Sequence, residues 1–341
     1  MTKPPTIKDI ARQLNISIST VSRAMRNATD INPLTKKAVM ELAEQLNYQP
    51  NMLALSLRKQ QTHTIGVIVP NQDYVLSTMV KGIDEVALEA GYTVMVCQSS
   101  ESFGREIVNT RRLMESLVDG FIISVSSETK IFDHFKKIQE KNIRMVVFDR
   151  IIPQLVAPSV RLDNEEGGFL ATEHLLEQGY RRIAILAGPK NLGISNSRMD
   201  GYLKALKKYK IKPDPHLIMH CDFNQDYAFF ATEELLAMKK RPDAIFTISD
   251  RMAIGAMLAI KKKGLNMPSD IGLVGFNNEP LVSLVTPAIS SVEQPSFEMG
   301  KVAAKLFIEM MHNKDDMSND EIVLKPKLFI RESSQKQFVK K

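Results

Sequence analysis

The chain of 341 residues has no tryptophan, only two cysteines and an aromatic content of 6%. Cys97 and Cys221 are far apart and lack neighbours at metal-ligand spacing, so we expect small, semi-buried residues in a reducing compartment. No apolar run approaches the ~18 residues that a membrane-spanning helix needs. The start, Met-Thr-Lys-Pro-Pro, lacks the apolar core of a signal peptide. These absences predict a cytoplasmic protein with no membrane partner.

Sequence motifs of common enzyme classes are also missing. There is no Gly-x-Gly-x-x-Gly, no Gly-x-x-x-x-Gly-Lys-Ser/Thr, no Gly-x-Ser-x-Gly and no His-Glu-x-x-His. The six histidines show no metal-ligand spacing; His216 and His220 lie four apart, but in a strand-like context beside prolines. We therefore predict no catalytic residue, no metal and no cofactor, and a protein that is not an enzyme. A two-domain enzyme is kept as an alternative, which turnover of a bound ligand would support.

The first 26 residues predict two short helices joined by a tight turn at Asn15-Ile16-Ser17. Thr6 can cap the first helix and Ser17 the second. One side of the second helix carries hydroxyl and guanidinium groups, on Ser19, Thr20, Ser22, Arg23 and Arg26. Such groups suit the base edges and phosphates of a DNA major groove. A helical bundle whose polar face is merely solvated is the alternative.

The distribution of charge favours DNA. Residues 1–60 contain nine basic and four acidic residues, an excess of five out of the net +6 of the whole chain. A basic end on a near-neutral body is typical of a nucleic-acid-binding module. A membrane-binding basic tail is a weaker alternative, because these charges are spread over a patterned small domain.

Beyond the first two helices, Asn32-Pro33 begins a third helix, and residues 51–57 could form a short fourth. Residues 58–64 are polar and resemble a linker. From Thr64 onward, apolar runs alternate with amphipathic stretches, which indicates parallel sheets with helical crossovers. The predicted strands are 64–69, 93–97, 120–125, 144–148, 159–162, 183–187, 217–220, 244–248, 271–276 and 289–293. The alternation occurs on both sides of about residue 162, which predicts two doubly wound lobes with a ligand cleft between them.

Polar side chains follow many of these strands. Asp149-Arg150, Asp163-Asn164, Asp222-Phe223, Ser249-Asp250, Asn277-Asn278 and Gln294 each come directly after an apolar run, and Ser195 and Arg198 begin a helix after Gly188. Carboxylates, amides and an arginine without a nucleophile suit a polyhydroxylated ligand. For any single residue, including Asp163, Asp250 and Asn278, a cap or turn role is the alternative.

With these features in place, the chain resembles the LacI/GalR family of bacterial transcription regulators from about residue 5 to 335. The segments that carry the resemblance include 6–25 (TIKDIARQLNISISTVSRAM), 46–70, 119–124 (DGFIIS), 148–150 (FDR), 160–168 (VRLDNEEGG), 174–189, 197–202 (SRMDGY), 246–256 (FTISDRMAIGA), 271–281, 290–304 and 330–333 (IRES).

The family implies an all-α helix-turn-helix headpiece, a hinge helix and an α/β core of two doubly wound parallel-sheet subdomains like periplasmic binding proteins. The expected divisions are a DNA-binding domain at 1–49, a hinge and linker at 50–62 and a ligand-binding and dimerisation domain at 63–335. Within the last, the N-lobe is about 63–162 plus 294–322, and the C-lobe is about 163–293 plus 323–335.

The resemblance also implies functional residues. Ile18, Ser19 and Arg23 take the recognition positions, and Leu57 takes the hinge leucine that wedges into the minor groove. The full predicted DNA-binding set is Thr6, Ser17, Ile18, Ser19, Thr20, Ser22, Arg23, Arg26, Asn51, Ala54 and Leu57. The predicted ligand-binding set is Tyr74, Arg150, Asp163, Ser195, Arg198, Phe223, Asp250, Asn278 and Gln294.

Two features depart from the family pattern. The stretch between Pro70 and Gly82 is shorter than in many relatives and offers only Tyr74 as a ring. Asn277-Asn278 stands where many relatives have acidic residues. The expected function is a dimeric, sequence-specific repressor that binds double-stranded operator DNA and responds to a small effector, a sugar. The alternatives are a nucleobase or other metabolite as effector, or a ligand-binding component that does not bind DNA.

Overall fold

A computed structural model describes residues 5–48, 61–152, 154–312 and 320–336. The chain divides into two compact units, Met1–Thr62 and His63–Lys341. The first unit is the headpiece and the second is the core.

The headpiece contains three described helices, α1 (Ile7–Gln13), α2 (Ile18–Met25) and α3 (Pro33–Gln45). Their apolar faces meet in a small core around Ile10, Val21 and Val39, none of which is exposed to solvent. The predicted caps are present. The Thr6 hydroxyl and backbone N–H donate to the Asp9 carboxylate, at 2.7 and 2.9 Å, and the Ser17 hydroxyl accepts from the Thr20 N–H at 3.0 Å.

Two six-stranded sheets form the core. The first has the strand order β11-β5-β4-β3-β1-β2 and is parallel throughout. Its strands are β1 (Thr64–Val69), β2 (Thr93–Gln98), β3 (Gly120–Ile123), β4 (Arg144–Phe148), β5 (Ser159–Leu162) and β11 (Glu321–Leu324).

The second sheet has the order β12-β10-β9-β8-β6-β7, and only the β10–β12 pair is antiparallel. Its strands are β6 (Ile183–Ala187), β7 (Ile218–His220), β8 (Ala244–Thr247), β9 (Gly272–Asn277), β10 (Ser290–Glu293) and β12 (Lys327–Phe329). The central strands of both sheets are apolar and fully buried, because helices cover both of their faces.

The covering helices are α4 (Tyr74–Glu89), α5 (Phe103–Glu115), α6 (Asp133–Glu140), α7 (Asn164–Glu177), α8 (Gly193–Lys208), α9 (Gln225–Ala237), α10 (Asp250–Lys262), α11 (Pro280–Leu284) and α12 (Ser296–His312). A short 3₁₀ turn, Pro215–Leu217, precedes β7. Helices α7 and α8 approach closely at Gly168, where an added Cβ would lie 2.0 Å from the carbonyl oxygen of Arg198. This close approach fixes the position of Arg198 at the start of α8.

The predicted fold class is confirmed, and all ten predicted strands are present with ends shifted by two residues at most. Strands β11 and β12, which are only four and three residues long, are not among the predicted strands. Strand β11 pairs with β5 as far as Leu324, so the first sheet continues two residues past the expected boundary at 322. Each of the two is an edge strand with a single partner, β5 for β11 and β10 for β12, and each is too short to show a clear apolar period.

Candidate functional site

The outer side of α2 offers a polar, solvent-exposed surface. Ser17, Ser19, Arg23 and Arg26 are exposed, Thr20 and Ser22 are half-buried, and Thr6 is exposed at the start of α1. Ile18 is 46% exposed although it is apolar, so nothing in the headpiece core requires it there. An exposed apolar residue beside hydroxyls and guanidinium groups suits contact with base edges and thymine methyl groups.

Local hydrogen bonds hold this surface in place. The Ser17 hydroxyl lies 2.7 Å from that of Ser19 and 2.8 Å from that of Thr20, and Arg26 donates to the Ser22 hydroxyl at 2.7 Å. Arg23 pairs with Asp30, which orients its guanidinium group. The predicted hinge residues Asn51, Ala54 and Leu57 lie outside the described residues.

A cleft of about 650 Å³ opens between the two sheets of the core. The side chains lining it follow the carboxyl ends of strands from both sheets, which is where open parallel sheets bind ligands. Its lining residues are Asn71, Gln72, Asp73, Val75, Leu76, Gln98, Glu101, Ser127, Asp149, Arg150, Pro189, Leu192, Ile194, Arg198, Asp222, Phe223, Ser249, Arg251, Asn277, Glu279 and Gln294.

Arg198 lies at the floor of this cleft and is only 2% exposed. It donates to Asn164 Oδ1 at 2.8 Å, to the Ile248 carbonyl at 2.7 Å and to Gln294 Oε1 at 3.0 Å. Its guanidinium carbon lies 3.7 Å from the centre of the Phe276 ring. Burial lowers the pKa of Arg198 to about 10, so the group still carries its charge at neutral pH.

Gln294 connects the two lobes across the floor. Its amide oxygen accepts from Arg198, which follows the second sheet's β6, and its amide nitrogen donates to Asp149 Oδ1 at 2.8 Å, directly after β4 of the first sheet. The residue is 4% exposed. A ligand that reaches these groups would contact both lobes at once, so it could alter the preferred angle between them.

Arg150 forms the wall on the side of the first sheet. It donates to both oxygens of Glu101, each at 2.8 Å, and to the Val125 carbonyl at 3.1 Å. Partial burial opposes ionisation of Glu101, but the hydrogen bonds and charge of Arg150 outweigh it and hold the pKa of the carboxyl below its usual range. The Arg150 Nε is buried and has no hydrogen-bond partner among the described residues. It is therefore a free donor in the cleft wall.

The loop after β3 is held by a buried carboxylate. Glu106, which is not exposed, accepts from the Ser126 N–H and hydroxyl, each at 2.7 Å, and from the Thr129 hydroxyl at 2.6 Å. His134 Nε2 lies 3.0 Å from the same carboxylate. Together these contacts position Ser127, whose N–H donates to Glu101 and whose carbonyl accepts from Asn191 of the second lobe at 3.0 Å.

The predicted ligand-binding residues divide into two groups. Arg150, Arg198, Phe223 and Gln294 line the cleft. Tyr74, Asp163, Ser195, Asp250 and Asn278 are not among its lining residues.

Two residues of that second group form hydrogen bonds outside the cleft, and a third is exposed. Asp163 caps α7 by accepting from the Glu166 N–H at 3.1 Å, and it pairs with Lys325 at 2.8 Å beside a separate depression. Asn278 accepts from Arg331 at 2.6 Å. Tyr74 is 44% exposed at the first position of α4 and is not among the lining residues.

The other two lie just beneath the cleft surface. Ser195 is fully buried, and its hydroxyl has no partner among the described residues. Asp250 accepts from the Ser291 hydroxyl and from the Glu279 N–H, both at 2.7 Å, and burial raises its pKa to about 7. Asp250 holds the loop after β9 in position, and its neighbours Ser249 and Arg251 line the cleft.

Several lining residues are not among the predicted ones, above all Asp73, Glu101 and Glu279. Each begins or precedes a helix after a strand, so the same strand-end pattern could have identified them. Glu279 and not Asn278 lines the cleft, and Asn277 and Asn278 before it both adopt positive φ, 109° and 54°.

No group of three or more His, Cys, Asp or Glu side chains in the described part of the chain could hold a metal ion. Within the same residues, no helix is long and apolar enough to cross a membrane. The cleft holds hydrogen-bonding groups without an activated nucleophile, which suits recognition of a ligand.

Known protein families match both the headpiece and the core. Residues 6–51 match the family described as "Bacterial regulatory proteins, lacI family", and residues 172–334 match the periplasmic binding protein-like domain. The chain is 32% identical over 330 residues to the ribose operon repressor of Halalkalibacterium halodurans, covering 96% of this chain and 97% of that protein.

Two solved structures are similar over nearly the whole chain. The lac repressor dimer bound to operator and the anti-inducer ONPF has a TM-score of 0.88 and 25% identity, with 98% of this chain and all of that one covered. The complex of the transcriptional regulator CelR with cellobiose has a TM-score of 0.72 and 27% identity, with 96% and 99% covered. The chain belongs to the LacI family of bacterial regulatory proteins, and it is a ligand-responsive, DNA-binding transcription regulator and not an enzyme.

Proposed function

We propose that this regulator is a cytoplasmic homodimeric repressor whose operator binding is controlled by a small carbohydrate bound in the cleft between the lobes. The observation that carries the proposal is the hydrogen-bonded chain from Asp149 through Gln294 to Arg198, which joins the two lobes at the floor of the cleft. A ligand that exchanges hydrogen bonds with this chain has a direct means of favouring one lobe arrangement.

The chemistry of the lining supports a polyhydroxylated ligand. Amides, carboxylates and guanidinium groups surround the cleft, and Phe223 is its only aromatic lining residue among the described ones. Sugars are recognised by such groups together with one apolar ring face. The similar proteins fit this choice, since one is named a repressor of a ribose operon and another is a complex with cellobiose.

The DNA-binding part of the proposal rests on α2 and on the predicted hinge. Ile18, Ser19 and Arg23 would face base edges, while Ser17, Thr20, Ser22, Arg26 and Thr6 would contact phosphates and sugars. Two headpieces related by a two-fold axis would read a near-palindromic operator, one half-site each. Asn51, Ala54 and Leu57 would enter the minor groove at its centre.

Coupling between the two sites has a limited size. A ligand changes operator affinity only through its different affinities for the two lobe arrangements, which is usually worth about 1–3 kcal/mol, or roughly 5- to 150-fold. We expect saturating effector to change operator affinity within this range.

A gel-shift assay tests the proposal after selection of bound sequences from random DNA. The wild type should retain specific DNA, and Arg23→Ala should lose that specificity while keeping the thermal stability of the core. Failure to bind any DNA specifically, with or without ligands and at low salt, would exclude the regulator function for this chain. A thermal-shift screen with mono- and disaccharides, uronic acids and nucleobases then identifies the effector class, and a nucleobase as the best ligand would replace the sugar.

A further inference from the structure

The charges that line the cleft are unbalanced. Five carboxylates face it, on Asp73, Glu101, Asp149, Asp222 and Glu279, against three guanidinium groups, on Arg150, Arg198 and Arg251. The excess of two negative charges matters because the floor of the cleft is largely shielded from solvent. Charges in such a place are screened less than charges at an exposed surface.

The two buried cations are already engaged. Arg150 is held by both oxygens of Glu101. Arg198 uses three of its five N–H groups on protein acceptors and lies over an aromatic ring, with Asp149 and Asp250 close enough to stabilise its charge. The Nε–H of Arg150 has no partner among the described residues, but Glu101 already offsets the charge of that guanidinium group, as Asp149 and Asp250 offset the charge of Arg198.

Four of the five carboxylates at the cleft lack a direct cation, since only Glu101 forms an ion pair within 4 Å among the described residues. Asp149 accepts from the neutral amide of Gln294. Asp73 caps α4 through one oxygen, which accepts from the Leu76 N–H at 3.0 Å, and Glu279 precedes α11. They come from different lobes, since Asp73 follows β1 and Glu279 follows β9. Burial raises the pKa of each, the charge of Asp73 raises that of Glu279 further, and Arg251 acts on both in the opposite direction. One exposed guanidinium group is thus shared between two partly buried carboxylates.

Asn277, beside Glu279, offers an unpaired hydrogen-bond acceptor. Asn277 hydrogen-bonds Glu279 with its side chain, while its Oδ1 is buried without a partner among the described residues. An unpaired buried acceptor favours a ligand that donates a hydrogen bond. The free donor Arg150 Nε requires only a neutral oxygen, such as that of a hydroxyl group.

We propose that the cleft selects a neutral or cationic polyol, with an amino sugar favoured between Asp73 and Glu279, and that it rejects sugar phosphates and uronic acids. This inference rests on the proposed carbohydrate effector and narrows its chemical class. An ammonium or hydroxyl group between the two carboxylates reduces their mutual repulsion, whereas an anion adds a third negative charge.

Calorimetric titration with matched sugars tests the inference. The probes are glucose, glucosamine, glucose 6-phosphate and glucuronate, the corresponding galactose compounds, and ribose with ribose 5-phosphate. Within the skeleton that binds best, the anionic member should bind at least about 10-fold more weakly than the neutral member, a gap that narrows as salt rises. An anionic member that binds as tightly as its neutral parent overturns the inference but leaves the carbohydrate proposal intact. Binding by none of the compounds counts against the carbohydrate proposal, and the inference fails with it.

A double variant assigns the effect to the two carboxylates. Asp73→Asn with Glu279→Gln keeps the size of both side chains, and asparagine still caps α4. The variant should lose most of the discrimination against the anionic member, measured as the ratio of the dissociation constants of the anionic and neutral members. Glu89→Gln removes a charge from the exposed far end of α4 and is the matched control. Unchanged discrimination in the double variant would overturn the assignment.

Discussion

Truncation of Arg198 should destabilise the core far more than truncation of an exposed arginine. Arg198→Ala leaves three acceptors without their donor, on Asn164, Ile248 and Gln294. A buried acceptor without a partner costs about 1–3 kcal/mol. Because the cleft admits water to some of these atoms, we use the lower part of that range and expect a loss of about 3–5 kcal/mol in the free energy of unfolding.

Urea unfolding followed by far-ultraviolet circular dichroism measures this loss, since the chain has no tryptophan for fluorescence. The matched control is Arg111→Ala, whose arginine is exposed on α5 with its Nε 3.8 Å from the Glu115 carboxylate. It should change stability by less than about 0.5 kcal/mol. A loss below about 1 kcal/mol for Arg198→Ala would contradict this expectation, because it would mean that the three acceptors find water or new partners without cost. At temperatures where the variant is folded, it should also lose its response to effector while binding operator DNA.

Three further predictions concern other parts of the chain. The folded-state pKa of Asp250 is about 7, above its ordinary value of 3.8, so the folded state binds more protons between these values and loses stability as pH rises through them. Asp250→Asn should therefore gain stability relative to the wild type as pH rises from 5 to 8, by at most about 3 kcal/mol in urea unfolding, and a constant difference would contradict the buried charge. Gly168→Ala places a Cβ 2.0 Å from the Arg198 carbonyl and should cost about 1–3 kcal/mol in the same assay, whereas Gly193→Ala, which meets nothing within 4 Å, should cost almost nothing. Leu57→Ala should weaken operator binding in gel shifts while ligand affinity stays the same, and an equal loss of both would exclude a wedge role for Leu57.

The regular part of the fold could be predicted from the sequence because its physical causes are local. Capping groups such as Ser17 and the Asn32-Pro33 pair act within one helical turn, and buried parallel strands appear as continuous apolar runs. The missed strands β11 and β12 have neither signal. They are placed by pairing with β5 and β10, which are distant in sequence.

The candidate site was harder to predict because strand-end position does not determine the direction of a side chain. Asp163 and Asp149 both follow a strand, yet Asp163 pairs with Lys325 and Asp149 reaches Gln294. Which partner is available depends on residues more than 100 positions away in the chain. The same limit applies to Asp250, whose carboxylate binds the loop after β9 beneath the cleft.

The most direct test of the central claim is operator affinity measured by gel shift with and without the sugar that binds most tightly in the thermal-shift screen. We predict that saturating sugar changes the dissociation constant for operator DNA by about 5- to 150-fold, and that Arg198→Ala abolishes the change while the unliganded affinity is kept. Equal operator affinity with and without a sugar that demonstrably occupies the cleft would contradict the account.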